Sequence, residues 1–334
     1  MTAAHSAGLW MLAWRRLRAD RLAMAALAIV GGWLLLVALS AAGLVAGDWE
    51  REVGVNYAPP SFLGAAVPAG AGPAAAALPP RANPFDPLAA DIDSLRATPP
   101  GGGAAPERRP TLPFGADKWG HDVILKTVKG AETSIVVGLV AAFVAVGLGT
   151  LLGALAGYFG GVVDDALEWL YSVFTAIPSI LMILTVAAVL QAKGVATIVL
   201  ILGLTGWTGP YRLIRAEYLR HKAREYVLAA DAIGASAWRK MFVHIFPNVS
   251  HVALVQLSIL VVGFIKAEVI LSFLGFGVPA GVVSWGSMLN EAQNELLLGK
   301  WWQLAAAAGA MAVLVTAFSL LADALRDALD PKVK

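Results

Sequence analysis

Residues 220–248 read RHKAREYVLAADAIGASAWRKMFVHIFPN, the one long polar stretch within an otherwise apolar C-terminal two-thirds. It carries Arg220, Lys222, Arg224, Arg239 and Lys240. Basic residues gather on the cytoplasmic side of membrane proteins, so a basic stretch between apolar runs belongs inside. It is not a featureless loop. Glu225–Ala232 is rich in helix formers, Gly234 interrupts it, Ala235–Phe246 again suits a helix, and Pro247 opens the next apolar run. Val227, Ala230, Ile233, Gly234 and Trp238 recur on about one helical face. A short helix pair with a small-residue face, hung between two membrane spans, suits docking onto another protein. An amphipathic helix lying on lipid would have the same composition.

The rest of the chain supplies the membrane. Its 334 residues are 58% hydrophobic and only 14% charged, with mean hydropathy +0.70. Soluble domains carry roughly 25% charged residues. A net charge of +2 gives no reason to expect nucleic acid. The absence of cysteine excludes disulfides, thiolate metal sites and Cys nucleophiles.

Arg15, Arg16, Arg18 and Arg21 precede an apolar run from Leu22 to Ala46. A signal peptide has a shorter core of roughly 7–15 residues, so the run is read as a retained first span with its N-terminus inside. Further apolar runs at about 134–157, 167–190, 195–214, 249–275 and 303–325 make six spans, with both termini cytoplasmic. The orientation follows from charge. Seven Lys/Arg fall between Arg212 and Lys240, and Arg326, Lys332 and Lys334 close the chain, whereas the short outer loops hold only Lys193 and Lys300. Thirteen of the eighteen prolines lie between Pro59 and Pro113. That composition cannot bury a core, and 48–111 reads as an extended external spacer or tether.

Several motifs resemble one family. Ala229-Ala230, three residues, Gly234, nine residues and His244-Ile245-Phe246-Pro247 is similar to the cytoplasmic loop of ABC importer permeases, with Leu228 where the family has Glu. Pro113-Phe114-Gly115-Ala116-Asp117-Lys118-Trp119-Gly120-His121-Asp122-Val123 resembles an outer element of the same family, with Lys126 replacing an expected Arg. So do Glu268-Val269-Ile270-Leu271-Ser272-Phe273-Leu274-Gly275-Phe276-Gly277, Trp285-Gly286-Ser287-Met288-Leu289 and Asp323–Pro331. Residues 10–47 and 112–331 share the resemblance, which is to the second, C-type permease of dipeptide, oligopeptide and nickel importers.

The resemblance implies an all-α integral membrane protein with the six-helix, type I permease fold, in the bacterial inner membrane. It implies a second permease subunit, two ATPase subunits that use ATP and Mg, an external solute-binding protein, and membrane lipid as surroundings. No cofactor, metal or nucleic acid is expected on this chain. The expected segments are an interfacial stretch at 1–21, the first span at 22–46, an external region at 47–132, a permease core at 133–329 with its coupling loop at 215–248, and a tail at 330–334.

No enzyme signature appears: no Walker A, no His-Glu-x2-His and no Gly-x-Ser-x-Gly. ATP hydrolysis therefore belongs to other chains. Coupling to them falls to Glu225, Leu228, Ala229, Ala230, Asp231, Gly234, Trp238 and Pro247, with Glu225 and Asp231, three residues either side of Leu228 and expected on the same helical face, as substitute acids. Lys266, Glu268 and Ser272 are the candidates for the translocation path. Intramembrane charges face a cavity or a partner, yet two residues apart Lys266 and Glu268 diverge by about 200°. Contact with backbone or a neighbouring subunit for Glu268, and outward snorkelling for Lys266, compete with a path role. Pro178, Gly209 and Pro210 are the candidate hinges. Small peptides lead as substrate, with nickel, heme or another solute as alternatives. A stand-alone secondary transporter or channel, needing an internal ion relay, and a membrane scaffold are the rival readings.

Overall fold

The computed structural model describes residues 9–64, 108–279 and 281–329. Most of the proline-rich region, the first eight residues and the tail at 330–334 lie outside the described residues. The regular elements among them are all helical, with four isolated bridges and no strand. In order come α1 (Leu9–Ala19), α2 (Arg21–Ala41), α3 (Val123–Phe159), α4 (Gly161–Thr175), α5 (Ser179–Leu190), α6 (Val195–Thr205) and α7 (Thr208–Lys222). After them come α8 (Glu225–Ala232), α9 (Ala237–Phe273), α10 (Trp285–Leu297) and α11 (Trp302–Leu329).

Four of these, α2, α3, α9 and α11, are long and apolar enough to cross a membrane, and the bent pair α4–α5 makes up to five. Two expected spans are therefore broken. The run at 167–190 bends by 85° between α4 and α5, where Pro178 caps α5 in an extended conformation. The run at 195–214 divides at Gly206–Trp207 into α6 and α7, and α6 alone has only 11 residues. That break precedes the expected hinge. Gly209 and Pro210 sit in the first turn of α7, where a missing N–H costs nothing.

Asp20 starts α2 and Asp122 starts α3, each accepting two backbone N–H bonds at the helix N-terminus. α3 is the 37-residue axis of the bundle. At Gly149, Gly153 and Gly157 an added Cβ would meet the carbonyl oxygens of Trp207, Tyr211 and Arg215 at 2.5, 2.7 and 2.6 Å. Small residues four apart let two membrane helices approach backbone to backbone, and here they seat α7 on α3. Gly138 does the same for α9, where a Cβ would lie 2.5 Å from Ile265. The main core gathers α2, α3, α6, α9, α10 and α11 around Ile135, Leu202, Ile265, Trp285 and Leu314, all buried.

Above α3, residues 51–64 and 108–122 fold back on each other. Ala116 N–H donates to Ala58 O at 2.8 Å and Tyr57 N–H to Asp117 O at 2.9 Å. The Trp302 indole N–H, at the start of α11, donates to Ala116 O at 2.6 Å and fastens this cap to the bundle.

Candidate functional site

The polar stretch folds as a bracket at one end of the bundle. α8 buries Val227 and Ala230, with Val227 packed in a small core alongside Tyr158, Ile214, Tyr218, Met241 and Ile245. Gly234 then turns the chain at φ +80°, a conformation that side chains with a Cβ rarely adopt. An added Cβ would meet nothing within 4 Å, so the backbone angle and not crowding within this chain calls for glycine. Ser236 caps the start of α9.

After the α-helical start Ala237–Arg239, α9 passes through a π-helical segment, Lys240–Ile245, ahead of Pro247. Proline has no N–H to offer the carbonyl four residues back, and a π turn absorbs such a break. The Asn248 side chain donates to His244 O at 2.8 Å and satisfies another carbonyl there. The end of the polar stretch and the long apolar helix are thus one continuous body.

The bracket leaves an apolar surface open: Leu228 57%, Ile233 84% and Trp238 57% exposed. Trp238 and Phe242 stack with ring centroids 5.5 Å apart and planes 9° from parallel. Glu225 is exposed on α8, while Asp231 contacts Lys240. Six residues apart on a helix, Glu225 and Asp231 diverge by about 120°, so they do not share the face expected of them. Ala229 is exposed, and Pro247 is exposed at the base of α9.

Charged contacts tie this end to α4. Arg215 donates to both Asp164 oxygens, at 2.5 and 2.8 Å, and the Tyr211 hydroxyl donates to Glu168 at 3.2 Å. The buried Tyr218 hydroxyl donates to Met241 O at 3.1 Å, joining α7 to α9.

The span candidates separate. Glu268 is fully buried; it accepts from Ser134 of α3 at 2.6 Å and from Ser272 at 2.7 Å. Ser134 Oγ in turn accepts the Trp285 N–H at 3.2 Å. Glu268 and Ser272 therefore face inward, and Lys266 lies exposed on the other side of α9.

A second buried polar group was missed by sequence reasoning. Lys126 of α3 reaches Asp117 at 2.7 Å, Glu291 of α10 at 2.6 Å and Gln303 of α11 at 3.4 Å. His121 Nδ1 lies 2.9 Å from Asp117. Burial works against the Asp117 charge, but Lys126 and the His121 contacts outweigh it and hold the carboxyl below its usual range. Glu295, 1% exposed, has no side-chain hydrogen-bond partner for either carboxylate oxygen. Burial, aided by Asp117 and Glu291 against the pull of Lys126, pushes it up to about 7. Lys126 was legible as a departure from the family pattern; Glu291, Glu295 and Gln303 carried no local signal. Among the described residues no three His, Cys, Asp or Glu converge as a metal site would need.

Residues 149–334 match the family described as binding-protein-dependent transport system inner membrane component. Residues 8–60 match the N-terminal TM domain of oligopeptide transport permease C. The chain is 38% identical over 221 residues to the dipeptide transport system permease protein DppC of Bacillus subtilis, covering 66% of this chain and 69% of the relative. It is 37% identical over 221 residues to the oligopeptide transport system permease protein OppC of that organism, covering 66% and 72%. Against the dipeptide permease DppC of Haemophilus influenzae it is 32% identical over 261 residues, 77% of this chain and 85% of the relative.

Proposed function

Because the chain belongs to the binding-protein-dependent transport permeases, the inner membrane components of ABC importers, we propose that it pairs with a second permease to carry small peptides across the bacterial inner membrane. The similar dipeptide and oligopeptide permeases support the peptide assignment. An external solute-binding protein delivers the peptide, and two ATPase subunits supply ATP and Mg chemistry that this chain lacks. Both termini and Arg220–Lys240 are cytoplasmic, the cap and proline-rich region external, and the broken helices α4–α5 and α6–α7 complete six crossings. The arginines of α1 and α7 on one side, and the short loops near Lys193 and Lys300 on the other, support that orientation.

The observation that carries the reading is the open face of Leu228, Ile233, Trp238 and Phe242 on a bracket continuous with α9. Apolar surface of this kind, rimmed by Arg and Lys, marks a protein interaction site. A movement imposed there is delivered directly to a membrane helix. The stand-alone carrier loses its proposed ion relay, because Glu268 is engaged by two serines within the chain. The test is co-purification followed by reconstitution. The pair of permeases should retain ATPase subunits, and ATP with binding protein should drive dipeptide uptake. Peptide flux that needs neither would overturn the proposal, and nickel or heme uptake alone would reassign its substrate.

A further inference from the structure

Resting on the importer reading and deepening it, we propose that Lys266 lines the substrate route along α9 and binds a carboxylate of the passing substrate, so that this permease favours solutes carrying a free carboxyl group. Ile259, Gly263, Lys266, Ile270 and Leu274 succeed each other at helical spacing of three or four and form one stripe of α9. Ile259, Lys266, Ile270 and Leu274 are exposed, and nothing lies within 4 Å of a Cβ placed on Gly263. The inner end of the stripe enters a cavity, and a second cavity begins just past its outer end. Ile259 lines an inner cavity of about 450 Å³ with Arg220, His251 and Arg326. Gly275, next to Leu274, lines an outer one of about 530 Å³ with Lys193 and Glu50.

Lys266 is the charge between them. Among the described residues it has no ion pair or hydrogen bond. Glu268 points about 200° away, with its oxygens already taken by Ser134 and Ser272, so it cannot neutralise the ammonium. Lys266 also sits seven residues, about 10 Å, below the end of α9 at Phe273. An unpaired ammonium on an apolar stripe is costly once another helix bundle covers the stripe, and a carboxylate is the group that offsets that cost. The inner cavity continues the same sign, since its single acid, Glu217, lies 2.5 Å from Arg220. One lysine contacting a terminal carboxylate serves peptides of any side-chain sequence, as a peptide route requires.

The chain has no cysteine, so Lys266→Cys in the complete importer provides a single reactive thiol on this subunit. Dialanine uptake into proteoliposomes should fall about tenfold, the loss expected for one charge-assisted contact. Aminoethyl methanethiosulfonate, which restores a positive side chain, should recover it; the sulfonatoethyl reagent should label the same thiol and not recover it. Lys266→Arg should stay within a few-fold of wild type. A thiol that neither reagent reaches, unchanged uptake, or loss that the aminoethyl group does not reverse would overturn the proposal. A snorkelling lysine gives unchanged uptake. Wild-type importer that fails to take up dialanine in the presence of ATP refutes the peptide-importer reading instead.

Discussion

The Ser134 hydroxyl of α3 donates a 2.6 Å hydrogen bond to Glu268 of α9, across 134 residues of sequence. Ser272 occupies the other carboxylate oxygen, so an acid in a membrane helix becomes a buried clamp between α3 and α9. Glu268→Gln keeps one acceptor and should leave assembly intact. Glu268→Leu strands both serine hydroxyls and should cost about 1–3 kcal/mol. Thermal unfolding of the purified permease pair measures this, and equal midpoints for Leu and Gln would remove the clamp.

Gly234 separates backbone geometry from steric fit. At φ +80° valine is strained, whereas asparagine tolerates this region. Gly234→Val should release ATPase subunits from the purified permease pair, and Gly234→Asn should retain most of them. Similar retention by both variants would show that the turn does not position the docking face.

Trp238 is more than half exposed and rests chiefly on the stacked Phe242 ring. Trp238→Ala should therefore leave stability within about 0.5 kcal/mol of wild type, as for other surface changes, while lowering ATPase retention at least several-fold. Asp231→Ala, which removes the acid beside Lys240, should affect retention less than Trp238→Ala does. A pull-down titration ranks the two, and the reverse order would move the docking face onto α8.

Glu295 makes stability depend on pH. Its folded carboxyl titrates at about 7, above the ordinary carboxylate value near 4.3. The folded state then binds more protons across that window, so stability falls as pH rises from about 4.3 to 7. Asp117, shifted the other way, loses its contribution only at more acidic pH. Glu295→Gln should come closest to wild type below about pH 4 and unfold at higher temperature than wild type near about pH 8. A midpoint difference that does not change with pH would contradict the assignment.

Topology is tested with thiols as well. Ser61 and Ser236 are exposed on opposite sides of the proposed membrane arrangement. In intact cells an impermeant reagent should label Ser61→Cys and spare Ser236→Cys. The opposite pattern would invert the chain.

Local chemistry made part of this legible. Pro178, Gly234 and Asp122 act through their own backbone or their nearest neighbours, so the bend, the turn and the start of α3 follow from single residues. The opposite directions of Lys266 and Glu268 follow from helical spacing alone. Broken spans are harder, because hydropathy records the run at 195–214 and not the Gly206–Trp207 break inside it. The Lys126 cluster was invisible for another reason. Its partners Glu291 and Gln303 lie 165 and 177 residues away, and only the packing of α10 and α11 on α3 brings them together. Asp231 looked available until folding brought Lys240 beside it.

The glycine seam between α3 and α7 restricts how force can travel. Carbonyl oxygens of Trp207, Tyr211 and Arg215 occupy notches four residues apart on α3. Sliding by less than a notch would drive those oxygens into side chains, and a full step covers about 6 Å. The two helices therefore have gear teeth and no slip plane. Under the proposed coupling, a push on the bracket tilts them together as one lever, and the compliance for opening and closing falls to the bend at Pro178 and the break at Gly206.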